Sequence, residues 1–179
     1  MTKIIAEIGW NHMGSLSLAK KMIFQAKKNG ADFVKTQIFD VQNLKDGPWD
    51  KDGRREIYKK AQLNENKYKE LFKYAKKINC KFFASAMSIK DAELIKRVNS
   101  DLIKIPSMES RNFPLINYCA KNFKNIIISS GTSKFKEIIK SCKKIPKKKL
   151  TVLHCVSSYP CNFSNVNLNK INLFKKFFK

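Results

Sequence analysis

Arginine is scarce in this chain: of 37 basic residues only Arg54, Arg55, Arg97 and Arg111 are arginine. Acidic residues are few as well, 14 in all, which leaves a formal net charge of +23. Such an excess invites a nucleic-acid reading, but bidentate recognition of bases and phosphates is mostly the work of arginine. The lysines are instead scattered along the chain, as at Lys20-Lys21, Lys27-Lys28, Lys76-Lys77 and Lys143-Lys144. The densest run, Lys147-Lys148-Lys149, reads as a solvated loop. No apolar run approaches the ~18 residues of a membrane helix. The short apolar start is broken by Glu7 and has no signal-peptide cleavage pattern. The five cysteines (Cys80, Cys119, Cys142, Cys155 and Cys161) are odd in number and form no Cys-x-x-Cys pair. That spacing excludes a zinc site or a secreted disulfide framework and leaves buried, reduced thiols. A cytoplasmic protein is expected, with neither nucleic acid nor membrane as partner.

What remains is enough for one globular domain over residues 1–179, with 43% apolar residues to build its core. A single pattern recurs: a short β-branched or aromatic run, a polar turn, then a segment of helical period. The runs are Ile4–Ile8, Phe33–Gln37, Lys81–Ser85, Leu102–Ile105, Asn125–Ser129 and Thr151–Val156. Ser15–Asn29 reads as a helix with Leu18, Met22 and Ala26 on one stripe, Ala19 and Ile23 beside it, and Gly30 at its C-terminal stop. Ser88 precedes a second helix, Thr132-Ser133 a third, and Leu168–Phe178 carries Ile171, Phe174 and Phe178 on one stripe. The connection from Asp40 to Leu63 is unusually long, and its Trp49 could anchor a lid or close the loop's own small core.

Strands alternating with helices predict a parallel sheet, either doubly wound or closed into a barrel. No glycine-rich phosphate loop follows the first strand, which weakens the nucleotide-binding sheet. Polar residues at the strand C-terminal ends favour the barrel, because that is where barrels place their chemistry. The expected fold is therefore an incomplete (β/α)8 TIM-type barrel of about six βα units, lacking strands seven and eight.

Residues two apart along a strand share a face. Glu7 lies with Ile5, Lys35 and Gln37 with Phe33, Ser85 with Phe83, Ser129 with Ile127, and Ser157 and Tyr159 with Cys155. A lysine or glutamate on a covered strand faces a large desolvation cost unless it is paired or meets a ligand. Any one serine could simply serve nearby backbone; six strands that all end in polar groups argue for a shared site. Pro106 ends the fourth strand and frees Lys104, Ser107 and Glu109 to turn toward it. Two lysines among hydroxyls describe a phosphate or carboxylate receptor, with Glu109 beside it as an acid–base group.

The segments Ala6-Glu7-Ile8-Gly9-Trp10-Asn11-His12, Lys35-Thr36-Gln37, Lys104-Ile105-Pro106-Ser107-Met108-Glu109-Ser110, Ser129-Ser130-Gly131 and Leu153-His154-Cys155-Val156-Ser157-Ser158-Tyr159-Pro160 resemble successive signatures of the sialic acid synthases. This is the family of N-acetylneuraminate, legionaminate and pseudaminate synthases, and the likeness is to its N-terminal barrel part. The resemblance implies condensation of phosphoenolpyruvate with an N-acetylmannosamine-like aldose to a nine-carbon 2-keto acid sugar. By motif position, Lys35, Ser85, Lys104, Ser107 and Ser129 would hold phosphoenolpyruvate. Gln37, Ser157 and Tyr159 would line the sugar, and Glu109 and Glu7 would be the catalytic carboxylates. Ser85, Ser157 and Thr36 stand where other members can carry Thr, Asn and an aromatic.

The resemblance also implies a divalent metal, manganese or magnesium. Its two histidine ligands belong to a Ser-Asp-His element on strand seven and a motif on strand eight, neither of which is present here, so no metal ligand is assigned. Of the two histidines present, His12 lies near the expected mouth as a supporting group, and the parity of His154 points it toward the helices. Nor is the family's small antifreeze-like C-terminal domain present. The expected partners are phosphoenolpyruvate, an amino-sugar aldose and a completing C-terminal half or a second copy; without completion, no turnover is expected. Two rivals stand beside this reading, a non-catalytic remnant or anion-binding module and a basic nucleic-acid binder.

Overall fold

A computed structural model describes residues 2–44, 46–98 and 100–178, apart from the side chain of Trp49, so the lid reading of that residue lies outside what is described. The strands are β1 (Ile5–Gly9), β2 (Phe33–Ile38), β3 (Lys81–Ala86), β4 (Leu102–Ile105), β5 (Asn125–Ser129) and β6 (Leu150–Leu153). Between them run helices α1 (Leu16–Lys28), α2 (Arg54–Ala61), α3 (Glu65–Lys77), α4 (Ile89–Arg97), α5 (Phe113–Asn122) and α6 (Phe135–Cys142), and α7 (Asn169–Phe178) follows β6. The chain forms two compact units, Met1–Ser85 with Glu93–Asn99 and Ala86–Ala92 with Ser100–Lys179. No helix among the described residues is long and apolar enough to cross a membrane.

In the first unit β1 pairs with β2 in parallel, Ile5 opposite Phe33 and Glu7 opposite Lys35, and β3 follows β2. Chain order without a reversal is the order of a barrel wall rather than of a doubly wound sheet. The alternation of side chains builds layers on one face. Phe33 meets Phe83 edge to face at 6.0 Å, with the Lys81 ammonium 5.2 Å from the Phe33 ring centre. One pleat further along each strand, Glu7, Lys35 and Ser85 form the next layer.

Helix α1 has the expected boundaries because its ends are chemically marked. The Ser15 hydroxyl accepts from the Leu18 N–H at 3.2 Å. At the other end Gly30, at φ +90°, donates to the Lys27 carbonyl and Ala31 to the Ala26 carbonyl, a paired 5→2 and 6→1 closure. The stripe differs from expectation. Ala19 and Ile23 are the buried pair and Leu18 is 41% exposed, because the helix turns positions 19, 22, 23 and 26 inward and leaves 18 on the flank.

The long connection after β2 is more ordered than its sequence suggests. Two short 3₁₀ turns lead into α2, and one guanidinium ties them together: Arg55 bonds Asp50 and donates to the carbonyls of Val41 and Leu44, each at 3.3 Å. Tyr58 of α2 then packs edge-on against Trp10 at 5.3 Å and Phe39 at 6.1 Å, residues that follow β1 and β2 directly. The insertion is thereby pinned to the C-terminal ends of those two strands.

In the second unit β4, β5 and β6 run parallel, with Lys104 opposite Ile127 and Ser129 opposite Leu153. Helix α5 opens on Asn112, which accepts from the Leu115 N–H at 3.2 Å, and Pro114 sits in its first turn. Two expectations need correction. Strand β6 ends at Leu153 rather than Val156: its partner β5 ends at Ser129, and the Leu153 carbonyl is occupied by the Ser130 N–H and hydroxyl at 3.1 and 2.9 Å. Beyond that point no ladder enforces alternation. Nor do Thr132 and Ser133 cap α6; Glu137 reaches back to the Lys134 N–H at 2.7 Å and does so in their place. Finally, α7 rests on Phe135 through Phe174 (5.6 Å, stacked) and Phe177 (5.1 Å), while Ile171 is 40% exposed.

Candidate functional site

Lys35 is the most constrained charged group of the first unit. Only 4% of the residue is exposed, yet it carries an ammonium that needs partners. It finds them on the neighbouring strands: an ion pair to the Glu7 carboxylate and hydrogen bonds to the Ser85 hydroxyl at 3.1 Å and the Thr36 carbonyl at 3.3 Å. Burial pushes the Lys35 pKa below its ordinary value, and the charge of Glu7 opposes that shift. The pair is asymmetric, for the Glu7 side chain is 45% exposed. Glu7, Lys35 and Ser85 thus form one cluster at the strand ends, while Gln37 is half-buried two residues on from Lys35.

Behind this cluster lies a second layer of polar contacts. Gly9, at φ +53°, donates its N–H to Glu7 Oε1 at 2.8 Å. The ladder slips by one residue between Glu7 and Gly9. The Thr36 hydroxyl donates to the Gly9 carbonyl at 2.8 Å, and His12, fully buried, stands with Nε2 3.5 Å from Thr36 Oγ1. The Gly14 N–H donates to His12 Nδ1 at 3.1 Å. Burial lowers the His12 pKa, a hydrogen bond to the Gly9 carbonyl opposes, and the charge of Lys67 adds to the lowering.

The second unit is built from hydroxyls. After Pro106 the chain turns through Ser107–Glu109, so that Ser107 sits at a crossing of bonds. Its hydroxyl accepts from the Gly131 N–H at 3.0 Å, and its carbonyl accepts from the hydroxyls of Ser110 and Thr132. Ser110 and Ser133 hydroxyls lie 2.6 Å apart, so Ser133 here and Thr132 at the Ser107 carbonyl are engaged away from the start of α6. A Cβ on Gly131 would meet the hydroxyls of Ser157 and Ser107 and the Cβ of Cys155. Ser107 and Ser157 are therefore brought together around a residue with no room for a side chain. Glu109, half-buried, accepts from Asn112 Nδ2 at 2.8 Å. Lys104 is half-buried on the face of Ile127.

Ser129 is the exception among these strand-end hydroxyls, although Ser141 on α6 also has a buried hydroxyl without a partner among the described residues. Ser129 is 2% exposed, and its hydroxyl has no hydrogen-bond partner among the described residues. Such a group normally costs stability unless something bonds it. Tyr159, by contrast, is 95% exposed beside a cis bond to Pro160.

No group of three or more metal-ligating side chains occurs among the described residues. His12 has Nδ1 taken by the Gly14 N–H of its own turn and Nε2 facing the Thr36 hydroxyl of β2. His154 has Nε2 2.6 Å from the Val166 carbonyl, and its buried Nδ1 has no partner among the described residues. Neither environment fits a divalent cation, which needs converging oxygen or nitrogen ligands. The thiols are free, with Cys80, Cys119 and Cys142 buried; against expectation Cys155 is half-buried and Cys161 exposed, since both lie beyond the last strand.

The fold and the polar strand ends define a (β/α)8-barrel protein, of which these residues supply six βα units. The chain belongs to the NeuB family, whose model matches residues 22–179. It is 36% identical to the N,N'-diacetyllegionaminic acid synthase of Campylobacter jejuni, with 99% of this chain and 58% of that protein covered. With the pseudaminic acid synthase of Helicobacter pylori it shares 36% identity over 93% of this chain and 53% of the relative. Among solved structures, the N-acetylneuraminic acid (sialic acid) synthetase of Leptospira borgpetersenii, crystallised with citrate, superposes with a TM-score of 0.88 at 31% identity, covering 97% of this chain and 60% of that one. The chain spans a little over half the length of these relatives.

Proposed function

We propose that this chain carries the phosphoenolpyruvate-binding part of a sialic acid-type synthase. In this reading the reaction joins carbon 3 of phosphoenolpyruvate to the aldehyde carbon of an N-acetylmannosamine-like aldose. Water adds at carbon 2, phosphate leaves, and a nine-carbon 2-keto acid sugar results. Lys35 and Ser85 in one unit and Lys104, Ser107 and Ser129 in the other are the groups assigned to phosphoenolpyruvate. Gln37, Ser157 and Tyr159 are assigned to the sugar, Glu109 to proton transfer and Glu7 to a supporting acid role.

The observation that carries the reading is Ser129, a buried hydroxyl whose missing partner an anion oxygen would supply. The depressed basicity of Lys35 adds to it, since an incoming anion favours the charged form. The relatives' names and the family's synthase character support the reaction class. A divalent metal belongs to that class, but the described residues do not fit one, and no step is assigned to it here. Turnover is assigned to a completed protein, with strands seven and eight supplied by a C-terminal half. Residues 1–179 act as one catalytic-barrel piece in the cytoplasm, in keeping with five unpaired thiols.

Calorimetric titration of the purified chain with phosphoenolpyruvate and with inorganic phosphate tests the binding claim. Charge-assisted hydrogen bonds contribute about 1.5–3 kcal/mol each, so Lys104→Ala should weaken binding by about tenfold or more. Unchanged affinity in a folded Lys104→Ala protein places the anion elsewhere. A synthase assay with and without a supplied C-terminal half tests the rest. Product from the 179-residue chain alone would refute the need for completion.

A further inference from the structure

We propose that His12 is a positioning residue, which acts through the Gly9 peptide to hold the Glu7 carboxylate against the Lys35 ammonium. The inference rests on the reading of Lys35 as an anion ligand only for its functional consequence; the linkage itself stands on geometry. His12 touches neither Glu7 nor Lys35 directly. Its Nδ1 accepts the Gly14 N–H at 3.1 Å, so that nitrogen carries no proton and the ring hydrogen sits on Nε2. Nε2 lies 3.5 Å from the Thr36 hydroxyl, and Thr36 in turn donates to the Gly9 carbonyl at 2.8 Å. The other side of Gly9, its N–H, donates to Glu7 Oε1 at 2.8 Å, and Glu7 Oε2 pairs with Lys35. Gly9 is therefore gripped at both of its peptide groups, from behind by the Thr36 hydroxyl with His12 backing it and from the front by Glu7.

The grip matters because little else fixes this strand end. Gly9 sits at φ +53°, where the β1–β2 register slips, and a glycine in that position costs the chain entropy to hold. Glu7 is 45% exposed on its side chain, so water competes for its carboxylate. With the Gly9 carbonyl released, the N–H that orients Glu7 would swing away, and the buried lysine would lose the neighbour that keeps it charged. A fully buried imidazole with both nitrogens committed is a costly way to fill space, since an apolar side chain would do so without orphan polar atoms.

The decisive measurement is the titration of the Lys35 side chain, followed by NMR at its Cε and Nζ nuclei in the 179-residue chain and assigned by Lys35→Arg. His12→Ala should shift the Lys35 titration downward, in the same direction as Glu7→Gln. The His12→Ala/Glu7→Gln double variant should shift it no further than Glu7→Gln does. Because glutamine places an amide N–H where Nε2–H was, His12→Gln should restore the wild-type titration; His12→Asn, which replaces Nδ1 alone, should not. Inorganic phosphate binding should weaken about threefold to tenfold in His12→Ala. A Lys35 titration unmoved by His12→Ala in a folded protein overturns the proposal, as do additive shifts in the double variant. If His12→Ala does not fold, identical Lys35 titrations in His12→Gln and His12→Asn overturn it equally. The anion reading fails separately: a wild-type chain that binds neither phosphate nor phosphoenolpyruvate removes that reading and leaves the titration result standing.

Discussion

At the strand ends of the first unit the polar groups are charged and already matched to one another. Glu7 answers Lys35, Ser85 supports it, and His12, Thr36 and Gly9 lie behind them in hydrogen-bonded contact. At the strand ends of the second unit the groups are mostly neutral hydroxyls bonded to backbone, with one, on Ser129, left over. The first arrangement holds a charge ready in a fixed place. The second leaves bonding capacity open, which is what a ligand's oxygens require. Under the proposed anion reading these are two kinds of contact, one through electrostatics and one through an unfilled donor.

The sharpest test of that contrast uses its two carboxylates. Glu109, held by the neutral amide of Asn112, should tolerate Glu109→Gln without loss of fold or of phosphate binding. In a completed enzyme the same change should lower kcat by about 10²–10⁴-fold, because an amide cannot pass a proton. Glu7→Gln should do the reverse, lowering the melting temperature and the anion affinity together as Lys35 loses its counter-charge. Near-full turnover in Glu109→Gln would reduce that residue to a positioning role.

Backbone crowding gives the next effect. Gly14 sits at φ +76°, and a Cβ there would run into the Lys60 backbone carbonyl at the end of α2. Gly14→Ala should cost about 3 kcal/mol through conformational strain and overpacking combined, read by denaturant midpoint. Gly131→Ala should cost less, about 1–2 kcal/mol, because two of its obstacles are hydroxyls that can rotate. If Gly131→Ala proves the worse of the two, the second unit is the more rigid one.

Smaller still is the difference between two serines. Ser85→Ala removes a partner from a buried ammonium and should destabilise by about 1–2 kcal/mol. Ser129→Ala removes a group that bonds nothing described, and should leave stability level or slightly raised while weakening phosphate binding. Equal losses in a denaturation series would mean Ser129 has a partner after all.

The smallest effect is a slope. Folding lowers the His12 pKa, so between the folded-state pKa and about 6.5 the unfolded state binds the extra proton. Stability should therefore rise with pH across that window and fall on acidification. His12→Gln should flatten the slope there, and an unchanged profile would place the depressed pKa in doubt.

Much of this was legible in the sequence where local chemistry marks an end. Ser15 and Gly30 bracket α1, Pro106 stops β4, and the run Asn125–Ser129 is β5 residue for residue. Strand parity placed Glu7, Lys35 and Ser85 on one face, where they bond. The overrun of β6 has a non-local cause, since its length is set by where β5 stops. Helix α2 has few apolar residues and owes its place to Arg55 and Tyr58, whose partners are distant in sequence. The hold of His12 on Glu7 passes through a backbone carbonyl, which side-chain patterns do not reveal.

Arg55 reaches acceptors at Val41, Leu44 and Asp50 and lies 3.7 Å from Asp46, so one side chain fixes the length of the path between them. Loops are ordinarily where families gain and lose residues with impunity. Here an insertion or deletion between positions 46 and 54 would carry the guanidinium off several acceptors at once. Lineages should therefore vary the composition of this segment more readily than its length, unless they replace Arg55 in the same step.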